Sequence, residues 1–343
     1  MKKSIFLVVP ALIVTGFLFH SCTKNNNGTG NVANVYSSMN QMFAALRSTP
    51  QNLTVTAGQD VVVIGNQGTR LHFYPNSFKD ATGAIIRSGT INIQLTEVYT
   101  PGDMIANRTS TMANGQLLLS SGEININATM NGNNVYANNY GVAFIHPRQS
   151  TAQMALFSGG NNNTDSMTTW AVDTGVGKST TGTQLDTIPG WGKPCFFFDS
   201  CNNFSWANCD WFYNSSSPLT SANVAIPGSF SAQNTQLYLV LKGVTDAWSG
   251  STDTFTAVIG TEGDFSRGAA AFNPSTNTMT LMSEGKTAIV PPGVNYELVV
   301  ISKLDSNYYY YSEKGTIPNS GINTHAMLVQ QTVSQIKSAL SAL

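Results

Sequence analysis

The sequence predicts a mainly β protein: two β-sandwich domains, with a short helix ahead of the first and an amphipathic helix closing the second. Three observations predict it. Apolar and polar residues alternate over short stretches, most clearly at Leu71 and Phe73 and again at Ile91, Ile93 and Leu95, and a period of two lays one apolar row on one face of a sheet. Turn formers break these stretches at short intervals: Pro75-Asn76-Ser77, Gly83, Gly89 and Asn131-Gly132. Only 10% of the residues are charged while 41% are hydrophobic, which fits a packed protein whose outer strand faces carry Thr, Asn and Ser in place of charge.

Taken in order, the chain opens on Lys2-Lys3, an apolar run over 5–19, and Ser21-Cys22. That is the charged, apolar and small-residue order of a signal peptide. Residues 23–30 are polar and Gly-rich, a flexible tether. Met39, Met42, Phe43 and Leu46 fall at helical spacing and predict a helix over 37–47, ended before Pro50 and lying on the first domain. Strands follow over 53–57, 60–65, 69–74, 91–99, 117–119, 123–130 and 135–136, completing a first domain of 37–158. Residues 159–192 are rich in Asn, Gly, Ser and Thr and read as a linker or long loop, with one strand through Trp170.

The second domain, 193–343, opens on the aromatic-dense segment 195–213. Its strands are expected over 222–226, 235–241, 255–259, 278–282, 296–302 and 308–311. Val329, Val333, Ile336, Leu340 and Leu343 step by four and three, the apolar stripe of a helix within 324–343.

Two resemblances enter at this point. The run ending in Ser21-Cys22 resembles a bacterial lipoprotein signal. That implies removal of residues 1–21, acylation of Cys22, a tether over 22–36 and a lipid-anchored place at the outer membrane, on the periplasmic face or the cell surface. The alternative is an uncleaved N-terminal anchor, against which stand the shortness of the run and its Pro10 and Gly16. Lys2 and Lys3 are two of 17 bases; without them 15 face 18 acids and the formal charge moves from −1 to −3. The chain has no basic run, so nucleic acid is not an expected partner.

Leu71-His72-Phe73-Tyr74-Pro75-Asn76-Ser77-Phe78, then Gly83, Gly89, Ile91, Ile93, Leu95, Glu97 and Val98, and the turn Ser120-Ser121-Gly122-Glu123, resemble the β-sandwich module of ankyrins and netrin receptors. More closely they resemble a family of uncharacterised Bacteroidetes-type lipoproteins. The likeness covers 58–157, and Trp206-Ala207-Asn208-Cys209-Asp210 resembles the opening of that family's second domain. It implies fold and says little of activity. Some relatives of the ankyrin-type module cleave themselves at His-Phe-Ser; here His72-Phe73 is followed by Tyr74, and the nucleophile is missing.

No catalytic motif stands out. His72, His146 and His325 are isolated, no Gly-x-Ser-x-Gly elbow occurs, and Asp199, Asp210, Glu262 and Asp264 are not set in a calcium loop. Neither a metal nor a cofactor is expected. Cys195, Cys201 and Cys209 remain after Cys22; a Cys195–Cys201 disulfide with Cys209 buried is the leading expectation, with free thiols and metal ligation as the alternatives. Trp191, Trp206, Trp211 and Tyr213 belong to an aromatic group that either fills a sandwich core or stacks on sugars as a surface platform. Asp165-Ser166-Met167 and Asp186-Thr187-Ile188 resemble the acceptor for Bacteroidetes-type O-glycosylation, making Ser166 and Thr187 candidate sites.

These readings converge on a non-enzymatic, lipid-anchored envelope protein serving as an interaction or structural module. The alternative is a surface glycan-binding lipoprotein using the aromatics of 191–213, with a hydrolase a distant third.

Overall fold

A computed structural model describes residues 35–145, 154–159, 168, 170–176, 195–215, 217–244, 255–261 and 270–343. The fold is mainly β and sandwich-like, with three short helices among these residues. Alternation sets the faces where the sequence places it. In the strand Thr90–Val98, Ile91, Ile93 and Leu95 are fully buried while Thr90, Asn92 and Gln94 are exposed.

That strand lies between Gln51–Thr56 and the long strand Gln116–Met130. A four-stranded antiparallel sheet faces it, ordered Cys195–Cys201, Tyr140–Ile145, Arg70–Phe73 and Val61–Ile64. Leu71, Phe73, Val142 and Phe144 from this sheet share a core with Ile91, Ile93, Leu95, Ile124 and Ile126 from the other. Each such side chain contributes about 1.5–3 kcal/mol on burial.

A second sandwich repeats the arrangement. Ala222–Ala225, Ala270–Asn273, Thr278–Leu281 and Ile322–His325 form its smaller sheet, in which the first and last run parallel. Ala222, Val224, Met279 and Leu281 share the core with Leu237, Leu239, Leu241, Leu298 and Val300 of the strands Thr235–Val244 and Asn295–Leu304.

The division expected between 158 and 193 is crossed by strand pairing. Cys195–Cys201 is bonded to Tyr140–Ile145, and Trp206–Phe212 to Gln116–Met130, so the strands expected to open a second domain complete the first sandwich. The strand expected through Trp170 extends the same sheet from within the linker: Trp170–Val172 pairs with Ala155–Gly159, which pairs in turn with Trp206–Phe212. Gln116–Met130 is the joint. One of its edges carries Trp206–Phe212; the other carries Thr90–Val98 and, at Ser120, the bridge to Thr256 of Phe255–Gly260 in the second sandwich. Val35–Leu343 is accordingly one compact unit.

The helices show where local pattern stops being enough. α1 (Met39–Leu46) begins at Ser38, whose hydroxyl accepts from the Gln41 amide at 3.2 Å. It buries Met39, Met42, Phe43 and Leu46 as its spacing requires, but against the second sandwich, where Tyr238, Val240, Val258, Val299 and Ile301 receive it. The expectation that it lies on the first domain is corrected.

α2 (Pro101–Asn107) has no counterpart in the sequence reading, because seven residues are too few to display a helical period. Its signals are Pro101 in the first turn and the Thr100 cap. α3 (Val333–Leu340) is shorter than the predicted stripe: Val329 lies in the strand Val329–Gln331, and a Thr332–Gln335 capping box starts the helix. The three helices pack together. A Cβ on Gly102 would stand 2.0 Å from the Leu340 carbonyl oxygen, so only glycine allows α2 and α3 to approach this closely.

With helices on one face and the smaller sheet on the other, the strand Thr235–Val244 is buried on both sides from Thr235 to Leu241. That is why its sequence, Leu237-Tyr238-Leu239-Val240-Leu241, is continuously apolar where the first sandwich alternates.

Candidate functional site

The aromatic segment is core. Trp206 meets Trp170 edge to face at 6.5 Å, and Phe212 meets Phe157 the same way at 5.3 Å. Trp211 and Tyr213 are half-buried against the sandwich core, and Phe196 and Phe198 are buried within it. Stacking on a sugar needs an exposed ring face. Trp206, Trp211 and Tyr213 are each half-buried, Trp206 engaged edge to face by Trp170 and Trp211 and Tyr213 packed against the core, so none stands free as a platform. Of the two alternatives for the aromatic group, packing against the core is the one these three residues follow. Trp191, Ser166, Thr187 and Cys22 lie outside the described residues.

Among the described residues, Cys195, Cys201 and Cys209 are buried and none of them is in a disulfide. Cys195 and Cys201 stand at opposite ends of one extended strand. They pair with Ile145 and Tyr140 of the neighbouring strand, and five steps of about 3.3 Å put them roughly 16 Å apart, far beyond the ~7 Å a disulfide allows. The expected Cys195–Cys201 bond is therefore corrected; Cys209 is buried as expected. Burial pushes the Cys201 and Cys209 thiols well up, which keeps them protonated and unreactive even under oxidising conditions. Unfolding the unreduced protein in alkylating agent should modify all three of Cys195, Cys201 and Cys209. An intact mass two alkyl groups short would show a disulfide and overturn this geometry.

Two acids are buried within the pairing of Gln116–Met130 with Trp206–Phe212. Glu123 lies opposite Asn208 across the pairing of Gln116–Met130 with Trp206–Phe212, and Asp210 lies opposite Ser120. Both side chains are fully buried. Asn208 Nδ2 donates to Asp210 Oδ2 at 2.6 Å and Ser120 Oγ donates to Asn208 Oδ1 at 3.0 Å, but Asp210 Oδ1 receives nothing. Neither oxygen of Glu123 accepts a bond of good geometry, although Thr109 lies nearby.

Glu97 is the instructive contrast. It is also buried, yet takes Gln51 Nε2 at 2.6 Å, Gln67 N at 2.8 Å and Thr69 N at 2.9 Å, and so ties down the 65–69 turn. Without such donors, burial raises the Glu123 carboxyl well above its usual range, with the neighbouring Asp210 adding to the effect, and burial pushes Asp210 up to about 8. Both carboxyls are closed in the interior of a sheet, where burial favours their protonated forms.

His72 is half-buried in the strand Arg70–Phe73. Its Nε2 lies 2.7 Å from Asp60 Oδ1, and its ring is 4.4 Å from that of Tyr74, whose hydroxyl donates to Asp199 Oδ1 at 2.7 Å. The group is a polar surface strip without a nucleophile.

Among the described residues, a cleft of about 760 Å³ opens on the first sandwich, lined by Lys79, Asn138, Ser158, Asp173, Asn202 and Asn203, with Ala171, Val172 and Thr174 completing the wall. Its parts are fixed from beneath. Phe204, next to Asn203, packs among Phe73, Phe78 and Tyr140, and the Tyr140 hydroxyl donates to the Asn203 carbonyl at 3.1 Å. Asp173 accepts from Ser158 Oγ at 2.8 Å and from the Gly175 and Val176 amides at 3.0 and 3.3 Å. Asn138 Nδ2 donates to the Asn76 carbonyl at 3.0 Å. Tyr136 stands opposite Lys79 in strand register and is 45% exposed. Sequence reasoning missed this cleft; its residues come from five separate stretches and share no motif.

No protein-family model matches the chain, and no curated protein or solved structure is detectably similar to it.

Proposed function

We propose that this chain is a lipid-anchored, non-enzymatic protein of the Gram-negative cell envelope, held at the outer membrane through Cys22 and serving as an interaction or structural module. The observation that carries the reading is the N-terminal order: Lys2-Lys3, the apolar run 5–19, Ser21-Cys22 and a polar stretch ahead of a compact unit that starts at Val35. The polar composition of 23–30 suits a tether between the lipid and the fold. Each buried methylene of an acyl chain contributes ~0.8 kcal/mol, and two or three chains make such an anchor stable.

The likeness of 58–157 to Bacteroidetes-type lipoproteins supports the same reading. Its non-enzymatic part is supported by the placement of Glu123 and Asp210, which are fully buried and do not line the cleft between Lys79 and Asn203.

The test is expression in a Gram-negative host with Cys22→Ser beside the wild type. The wild type is expected to lose residues 1–21, gain acyl mass on Cys22 and partition with detergent; the variant keeps its N-terminus and carries no lipid. A mature wild-type protein with a free N-terminus at another residue would end the reading.

A further inference from the structure

We infer that the cleft lined by Lys79, Asp173, Asn202 and Asn203 binds a neutral glycan segment, with one sugar ring lying on Tyr136. The first support is unused bonding capacity. Among the described residues, the side chains of Lys79, Thr174, Asn202 and Asn203 have no hydrogen-bond or ion-pair partner, and all four line the same 760 Å³ cleft. Two amides, a hydroxyl and an ammonium together offer both donors and acceptors. Sugar hydroxyls also donate and accept, so a polyol answers each of them, whereas an apolar ligand would answer none.

The second support is charge. Lys79 and Asp173 are the two ionisable residues of the lining and their formal charges cancel. Asp173 is fixed by its three donors and cannot turn away, so an anionic ligand would face a carboxylate, and a cationic one would face Lys79. The net-neutral wall selects an uncharged polyol.

The third is the ring. Tyr136 is the aromatic residue that the described surface leaves most open, and directly paired residues on adjacent strands lie about 5 Å apart, which sets its ring beside the Lys79 side of the cleft. A flat apolar face beside a polar cleft matches the C–H face and hydroxyl edge of a sugar. The packing of Phe204 and the Asp173 turn hold the walls in place before binding, which lowers the ordering cost of recognition.

This assignment gives the interaction module a partner and so rests on that reading, but not on the anchor, since Cys22→Ser leaves the cleft untouched; the two tests fail separately. The experiment uses the full chain in a polyoxyethylene detergent, which carries no sugar, on an array of neutral and acidic oligosaccharides, followed by titration calorimetry with the neutral oligosaccharide bound best.

Binding confined to neutral glycans and unchanged between low and high salt is expected. Tyr136→Ala, and Asn202→Ala combined with Asn203→Ala, should each weaken it at least tenfold. These side chains are exposed, so both variants should keep the wild-type unfolding temperature. If they unfold early, the milder Tyr136→Phe and Asn203→Asp carry the test: the first retains affinity because the ring persists, and the second loses it. An array without binding, binding to acidic glycans alone, or affinity untouched by the cleft variants would each overturn the inference.

Discussion

Asp210→Asn is expected to stabilise the protein at neutral pH and to leave its stability near pH 4 unchanged. The native state holds a proton on Asp210 up to about pH 8, while the unfolded chain releases it near the ordinary aspartate value. Folding therefore takes up a proton across that interval. Stability is fully present below the unfolded pKa, falls by about 1.4 kcal/mol per pH unit as pH rises, and levels off above the folded pKa. At pH 7 the wild type has lost on the order of 4 kcal/mol through this group. Glu123 adds a loss of the same sign, because its carboxyl is raised as well.

Asparagine needs no proton, and its amide oxygen can still accept from Asn208 Nδ2, which now donates to Asp210 at 2.6 Å. Urea unfolding midpoints between pH 5 and 8 measure this. The wild type should weaken steadily across the range, with Asp210→Asn and Glu123→Gln each flattening the slope. A wild-type profile that is flat or rises would show that the two acids ionise in the fold.

Phe43→Ala is expected to cost about 3–5 kcal/mol, the range for removing a fully buried phenylalanine. Phe43 is fully buried. Its ring lies 6.3 Å from that of Tyr238, and the Arg108 guanidinium sits 5.5 Å from its centroid while bonded through Nη1 to Asn40 Oδ1 at 2.7 Å. Truncation opens a cavity under α1 and removes the ring that covers a buried guanidinium. The damage should fall on the second sandwich: amide exchange should quicken over 236–240 and 298–301, where Tyr238, Val240, Val299 and Ile301 meet the helices, and stay slow over 91–95. A loss under 1 kcal/mol, or faster exchange centred on the first sandwich, would contradict the placement of α1.

The two variants act on parts of the molecule that the sequence discloses unequally. The apolar spacing of Met39, Met42, Phe43 and Leu46 gives the helix and its buried face, but no local feature states which sheet that face meets. The one hint lies two hundred residues on, in the unbroken apolar runs at Leu237–Leu241 and Leu298–Ile301, which alternation on a half-exposed sheet would not produce. Nothing in Trp206-Ala207-Asn208-Cys209-Asp210 marks Asp210 as buried; strand pairing with Gln116–Met130 sets it opposite Ser120 inside the sheet.

By itself the sequence determined what depends on neighbours along the chain: strands from a period of two, turns from Gly, Pro and Asn, the apolar faces of α1 and α3, the burial of Cys209 and the lipoprotein-like order at Cys22. Tertiary structure alone decided what depends on partners far apart in the chain. It seated Trp206–Phe212 beside Gln116–Met130, where the aromatics pack against the cores, and it set Cys195 and Cys201 apart along one strand. It also joined two expected domains through a single long strand, and gathered Lys79, Asp173, Asn202 and Asn203 around one cleft. The physical reason is that a strand's side-chain pattern states that one face must be buried, while its backbone donors and acceptors fit any neighbouring strand; the choice among partners is made by the fit of the whole core.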